Sequence, residues 1–186
     1  MNARTIPEFR YAEANDIDRV VALVESAYRG PSGERGWTTE SSLLDGRRTD
    51  ALAVEDLLHR PECHVLLAEQ GGRLVASCHV ERQGDAAYFG MFAVDPLLQA
   101  GGVGKLVLAR AEHLAREEWG CTTMRMTVIE QRGELIAWYE RRGYRRTGDY
   151  EPFPYGDERF GVPRRDDLRF AVLLKQLGGE ETWTAG

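Results

Sequence analysis

Two periods of hydrophobic positions follow one another along this chain and predict its strands and helices. In several short stretches apolar and polar residues alternate, which is the pattern of half-buried strands. In other stretches apolar residues recur every three or four positions, as on one face of a helix. Strands are predicted at residues 9–12, 64–69, 74–81, 86–94, 123–129, 144–149 and 168–174, and helices at residues 17–28, 54–59, 103–119 and 134–142. Hairpins are separated from crossovers in this order, which predicts an α+β protein with a mixed sheet.

The same pattern predicts which residues share a face. The apolar face of strand 74–81 consists of Leu74, Ala76, Cys78 and Val80. Its polar face, a candidate part of an acceptor site, consists of Ser77, His79 and Glu81. The buried stripe of helix 103–119 is predicted to contain Val103, Leu106, Val107, Ala111, Leu114 and Ala115.

Composition narrows the class of protein. The chain has 186 residues, of which 42% are hydrophobic and 29% charged, as expected for one globular domain. Its net charge of −6 argues against nucleic acid or an anionic membrane as a partner. No apolar run approaches the roughly 20 residues that cross a bilayer, and the N-terminus lacks the apolar stretch of a secretory signal. The three cysteines are far apart and the histidines show no metal-ligand spacing, so we predict reduced thiols, a cytoplasmic location and no metal site.

A glycine-rich loop between strand 86–94 and helix 103–119 is the strongest candidate for chemistry. Residues 94–105 run Val-Asp-Pro-Leu-Leu-Gln-Ala-Gly-Gly-Val-Gly-Lys. Glycines there let several backbone N–H groups converge, and the helix N-terminus behind them adds partial positive charge. The pattern is therefore typical of a pyrophosphate cradle.

Two common phosphate motifs do not fit this loop. A P-loop requires glycine where the chain has Gln99, and serine or threonine where it has Leu106. A dinucleotide fingerprint that starts at Gly102 requires glycine in place of Val107. An NTP-binding function is thus disfavoured, whereas a glycine-rich turn that only joins strand to helix stays open as an alternative.

Two motifs resemble those of the GNAT superfamily of N-acetyltransferases. Gln99-x-x-Gly102-x-Gly104 resembles its acyl-CoA signature, and residues 138–144, Trp-Tyr-Glu-Arg-Arg-Gly-Tyr, resemble its aromatic element after the fifth strand. The resemblance implies a three-layer α/β/α fold whose mixed, mostly antiparallel sheet has a splayed strand pair and helices on both faces. It implies a single domain at residues 8–175, followed by a C-terminal tail at residues 176–186.

The resemblance also implies a reaction, in which an acceptor amine attacks acetyl-CoA directly in a ternary complex. The strand before the loop would pair with pantetheine, an N–H such as that of Phe92 would donate to the thioester carbonyl, and the loop would hold the pyrophosphate. The implied cofactor-binding residues are Met91, Phe92, Ala93, Val94, Gln99, Ala100, Gly101, Gly102, Val103, Gly104 and Lys105. The implied catalytic residue is Tyr139, a phenol with a pKa near its ordinary value of about 10 that protonates the departing thiolate. Packing of Tyr139 onto the sheet is the alternative.

The general base and the acceptor are left open by the sequence. The strand before the loop has no carboxylate, and the other candidates for a base are Glu81, His79, Glu130 and Glu40. The acceptor, a small-molecule or peptide amine, is expected between two irregular segments, residues 37–50 and 150–167, unless these are ordinary surface loops. A homodimer is compatible with the resemblance, and a non-catalytic acyl-CoA sensor is the alternative function.

Overall fold

The main feature of the fold is a seven-stranded mixed sheet. The computed structural model describes residues 6–29 and 40–178. The strands are β1 (Glu8–Tyr11), β2 (Leu44–Asp45), β3 (Cys63–Gln70), β4 (Arg73–Gln83), β5 (Ala86–Val94), β6 (Thr123–Ile129), β7 (Arg145–Pro152), β8 (Val162–Pro163) and β9 (Arg169–Gln176). The main sheet has the order β1-β3-β4-β5-β6-β9-β7 and is antiparallel except for the parallel pair β5 and β6.

Helices cover both faces of this sheet. They are α1 (Ile17–Tyr28), α2 (Ala51–His59), α3 (Val103–His113) and α4 (Gly133–Glu140). One core cluster joins α1 and α2 to residues such as Leu67 and Ala93, and the other joins α3 and α4 to residues such as Phe89 and Met126. The predicted fold class, with a mixed, mostly antiparallel sheet between helices, is confirmed.

The predicted helices and strands are present, but some of them begin or end at residues other than those predicted. Helix α2 begins earlier than predicted, at Ala51, because the Asp50 carboxylate caps it by accepting from the Ala53 N–H at 2.8 Å. The predicted helix 103–119 is regular only to His113 and continues as a π-helical turn over Leu114–Glu118. The last two long strands extend to Pro152 and Gln176.

Two predicted faces are wrong at one residue each. Leu74 packs with α1 and α2, on the face of the sheet opposite to Ala76. The reason is a register shift in the pairing of β3 and β4 next to Ala68, which places Leu74 on the other face of β4. Leu106 is 40% exposed, and Leu108 is buried at that turn of α3 instead. The regular spacing of apolar residues does not show either departure.

Two features of the topology position the site. β5 and β6 pair only along Ala86–Tyr88 and residues 123–125, and no further rung between them occurs in the described chain. The predicted splayed pair is therefore present. In addition, β2 and β8 form a separate two-stranded ladder, which the sequence did not predict, with Leu44 opposite Pro163.

Candidate functional site

The separation of β5 and β6 creates a cavity of about 350 Å³ that reaches the interior of the protein. Its strand residues include Tyr88, Gly90 and Phe92 from β5 and Thr127 from β6. Tyr139 of α4 lines it as well. The cavity thus brings the predicted cofactor strand and the predicted catalytic tyrosine together.

An irregular backbone marks β5 where it borders this cavity. The register between β4 and β5 shifts by one residue, so that Ser77 faces Ala93 while His79 faces Gly90. Within this bulge Met91 has a φ of 46°, in the left-handed region that non-glycine residues rarely adopt. The Tyr28 hydroxyl fixes the adjacent peptide by donating to the Phe92 carbonyl at 2.6 Å. Such a bulge re-aims backbone groups at this point of the strand.

The glycine-rich loop forms a 3₁₀ turn over Gln99–Gly101 followed by α3. Gly102 is the N-cap of α3 and has a φ of 83°, which an L side chain rarely adopts. No side chain caps this end, and the first turn contains no acidic residue. The N–H groups of Val103, Gly104 and Lys105 therefore have no acceptor within the helix, an arrangement that in general favours anions.

Side chains hold this loop against the end of β5. The Gln99 amide donates to the Val94 carbonyl at 3.1 Å. The buried Asp95 carboxylate accepts from the Leu97 N–H at 2.9 Å and forms an ion pair with Arg73. The predicted cofactor residues thus lie along one continuous path, from Met91–Val94 of β5 through the turn to an exposed Lys105.

Tyr139 lies near the end of α4 and is only 4% exposed. Phe89, Trp138 and Tyr144 surround its ring, with centroids at 6.4, 5.1 and 5.7 Å. Burial raises the pKa of Tyr139 well above its ordinary value, so the expectation of a pKa near 10 is wrong. The phenol stays protonated over the ordinary pH range.

The other wall of the cavity comes from the two irregular segments that the sequence singled out. Residues 37–39 lie outside the described residues, but the ladder of β2 and β8 joins the rest of the first segment to the second. The ion pair of Arg164 Nε with Asp45 Oδ2, at 2.8 Å, reinforces this junction. From these segments and the strands beside them the cavity receives Arg48, Glu151, Pro152, Pro154, Phe160 and Phe170.

A buried cluster of charges supports this wall. The Glu40 carboxylate is 6% exposed and pairs with Arg29 Nη1 and with Arg132 Nη1, each at 3.1 Å. Arg48 lies farther from this carboxylate, with its Nε 3.8 Å from Glu40 Oε2. Burial alone would raise the pKa of Glu40, but the three guanidiniums outweigh it and lower that pKa. Glu40 is therefore ionised.

Arg48 and Arg132 both line the cavity and flank the ring of Tyr28, with their guanidinium carbons 5.0 and 5.7 Å from its centroid. Glu25 fixes the backbone at Arg48, because its carboxylate accepts the N–H groups of Arg48 and Thr49 at 2.6 and 2.8 Å. The sequence analysis did not identify these arginines. Their partner Glu40 lies 92 residues from Arg132, and local spacing carries no signal of such a contact.

None of the four candidate bases lines the cavity. Glu40 is held in the arginine cluster, and Glu130 pairs with Arg169. Glu81 lies 3.7 Å from Arg60, whereas burial lowers the pKa of His79 to about 4. The one carboxylate among the described lining residues belongs to Glu151, which Arg125 neutralises.

Other candidate chemistries find no support in the described ranges. There, no group of three or more His, Cys, Asp or Glu could hold a metal ion. All three cysteines are buried, and burial raises the pKa of the Cys63 thiol to about 11. No helix over residues 6–29 and 40–178 has the length and apolar character to cross a membrane.

Comparisons with known proteins agree with this geometry. The model of the acetyltransferase (GNAT) family matches residues 12–144. Among solved structures, the ribosomal-protein alanine N-acetyltransferase from Escherichia coli is 15% identical, with a TM-score of 0.67, over 97% of this chain and 100% of that one. The PaiA N-acetyltransferase from Thermoplasma acidophilum, in complex with coenzyme A, is 14% identical with a TM-score of 0.66, over 91% and 98% of the two chains. A spermidine N-acetyltransferase chimera from Vibrio cholerae and hSSAT is 13% identical with a TM-score of 0.67, over 93% and 96%. No curated protein sequence matches the chain.

Proposed function

This chain belongs to the GNAT acetyltransferase family, and from that premise we propose that it transfers an acetyl group from acetyl-CoA to an amine. The observation that carries the proposal is the cavity between β5 and β6, which has Tyr139 in its wall, together with the helix N-terminus without a side-chain cap that follows β5. Acetyl-CoA needs an anion site for its pyrophosphate and a strand edge for its pantetheine arm. This chain offers both.

The residues fit the cofactor by type and placement. Gly102, Val103, Gly104 and Lys105 present N–H groups and no side-chain acceptor at the start of α3, as a pyrophosphate requires. Gln99, Ala100 and Gly101 form the turn that leads to them. Met91, Phe92, Ala93 and Val94 lie on the part of β5 that has separated from β6, where an amide-containing arm can add to the strand.

In the proposed reaction the acceptor nitrogen bonds to the acetyl carbon, and the carbon–sulfur bond breaks. The Phe92 N–H, in the bulge of β5, is our candidate donor to the carbonyl oxygen as negative charge develops there. Tyr139 gives its hydroxyl proton to the departing sulfur. Burial raises the pKa of this phenol, so it keeps its proton until negative charge develops on the sulfur beside it.

The acceptor must lose one proton before it attacks. Because Arg132 and apolar residues such as Phe89 and Met126 line the cavity, they disfavour an ammonium there and lower its pKa. The amine then enters neutral and gives its proton to water, so the mechanism requires no dedicated carboxylate base.

The test has two stages, which separate binding from turnover. Acetyl-CoA at a hundred times its dissociation constant should raise the free energy of unfolding by about 2.7 kcal/mol, whereas ATP and NAD, which lack the pantetheine arm, should do much less. Release of free thiol from acetyl-CoA is then followed across a panel of amines. Equal stabilisation by ATP would contradict the acyl-CoA assignment.

One observation favours a non-catalytic acyl-CoA sensor as a second candidate. Arg125 pairs with the one lining carboxylate, and none of the four candidate bases lines the cavity. The same panel separates the two functions. A sensor binds acetyl-CoA and acetylates no amine, whereas an enzyme releases thiol with at least one.

A further inference from the structure

We propose that the acceptor is an amine that carries a carboxylate a few bonds from its nitrogen, as an amino acid does, and that Arg48 binds this carboxylate. The proposal rests on the proposed acetyl transfer and names the substrate class of the same cavity. The observation behind it is that two of the three arginines around Glu40 bind its carboxylate closely, whereas Arg48 does not.

Arg29 and Arg132 hold the Glu40 carboxylate, one at each oxygen, at 3.1 Å. Arg48 approaches it only to 3.8 Å, beyond hydrogen-bonding distance, and its guanidinium donates no hydrogen bond within the part of the chain that the structure describes. Three cations share the charges of Glu40 and the neighbouring Glu25, which leaves one positive charge in excess. A planar guanidinium in the wall of a cavity, with its fork of donors available, is the group that proteins use for carboxylates.

Tyr28 provides a measure of how far this guanidinium lies from the reaction centre. Its ring is 5.0 Å from the Arg48 guanidinium carbon, and its hydroxyl donates to the Phe92 carbonyl on β5. One aromatic ring therefore separates the anion site from the strand along which we place the acetyl group. An acceptor that spans this distance has its amine and its carboxylate close together.

The remainder of the cavity fits an apolar side chain and opposes a polyamine. Pro152, Pro154, Phe160 and Phe170 form its apolar wall. The lining contains two guanidiniums, Arg48 and Arg132, against one carboxylate, Glu151, which already pairs with Arg125. A polycation such as spermidine meets like charge there, although a structural neighbour is named for that substrate.

The experiment compares matched pairs of amines in the thiol-release assay with the full chain. Phenylalanine is compared with phenethylamine and phenylalaninamide, and methionine with its decarboxylated amine. Spermidine and an alanine-initiated peptide amide complete the panel. We expect kcat/KM at least about tenfold higher for the carboxylate-bearing member of a pair, the scale of one hydrogen bond to a charged group.

Variants then assign the carboxylate to Arg48. Arg48→Gln should raise KM for the amino acid about tenfold or more, with kcat little changed and with the uncharged amide unaffected. Arg48→Lys, which keeps the charge but not the fork of donors, should recover part of the loss. The matched control is Arg47→Gln, at the exposed neighbouring arginine, which should change neither parameter. Calorimetric binding of acetyl-CoA shows that each variant is folded.

The outcomes are distinct. Preference for the decarboxylated or amidated partner, or for spermidine, would overturn this inference and leave acetyl transfer intact. Equal effects of Arg48→Gln on the acid and on its amide would overturn the role of Arg48. Binding of acetyl-CoA without turnover of any amine would overturn acetyl transfer, and the inference with it.

Discussion

On the β5 side of the cavity, and in the glycine-rich loop that follows β5, the groups available for binding are mostly backbone amides. On the opposite side they are side chains from distant parts of the chain. The first side consists of one continuous segment, β5 through the start of α3. The second side combines residues of β7 and the segment up to β8 with a buried ion cluster that includes Glu40, Arg48 and Arg132. A backbone site depends on φ and ψ at a few glycines, whereas a side-chain site depends on every partner being in place.

The largest expected effect tests whether Tyr139, which lines the cavity between these two sides, acts in catalysis. Tyr139→Phe should lower kcat by about 10²- to 10⁴-fold, the contribution typical of a general acid, with acetyl-CoA affinity changed by less than about 1 kcal/mol. Steady-state rates across pH measure it. The matched control is Tyr144→Phe, which removes a neighbouring buried hydroxyl bonded to Glu112 at 2.9 Å and should leave kcat unchanged. A wild-type kcat in Tyr139→Phe would return Tyr139 to a packing role.

The second effect tests how far the side-chain side of the cavity depends on its ion cluster. Glu40→Gln leaves two nearly buried guanidiniums without their counter-charge and should destabilise the protein by about 3 kcal/mol, measured by urea unfolding. Acetyl-CoA affinity of the folded variant should stay within threefold of wild type. The exposed Glu55→Gln is the control. If Glu40→Gln also weakened acetyl-CoA binding by more than threefold, the two sides of the cavity would not be separable.

The pH dependence of Glu40 has a defined sign. Its pKa is lower in the folded state, so its contribution to stability is present above the unfolded value of 4.5 and is lost as pH falls through the folded value. The stability difference between wild type and Glu40→Gln should therefore shrink in acid.

The third effect tests the backbone side. At Gly102 the φ of 83° makes a valine strained, so Gly102→Val should displace the first turn of α3 and weaken acetyl-CoA binding about tenfold, on the scale of about 1–3 kcal/mol for such strain. Gly84→Val is the control, because Gly84 has a φ of 67° in the β4–β5 turn, remote from the loop. Calorimetry should show normal affinity for Gly84→Val. Normal affinity for both variants would make the loop a mere connector.

The smallest effect concerns a charge pair outside both sides of the cavity. The buried Asp16 accepts two hydrogen bonds from Arg10 at 2.7 Å, which lowers its pKa to about 2. Asp16→Asn should cost about 1–2 kcal/mol above pH 3.8, a figure reduced because Arg10 is partly exposed, and the difference should shrink as pH falls from 3.8 through about 2. Asp18→Asn, on the exposed face of α1, is the control. Activity changed by Asp16→Asn at neutral pH would contradict its remoteness from the cavity.

What the sequence could predict follows the same division between backbone and side chains. The placement of the glycine-rich loop between a strand and a helix, and of Tyr139 on a short helix, was predictable because each lies in one short segment whose pattern is local. Arg48 and Arg132 were not, because only the folded chain places them beside Tyr28 and Glu40. The pairing of Leu44 with Pro163 was missed for the same reason, and the exchanged face of Leu74 depends on a register shift that periodicity does not encode.

The ladder between β2 and β8 also sets an order of events during synthesis. Asp45 and its partner Arg164 are 119 residues apart, so β2 is synthesised long before β8, the strand that pairs with it. Contacts between residues this far apart form late, because the entropy of closing a long loop opposes them. The loop that begins α3, by contrast, lies within one short continuous segment. If the cavity selects the acceptor as we propose, that selectivity depends on a pairing that only the later segment, around β8, can complete.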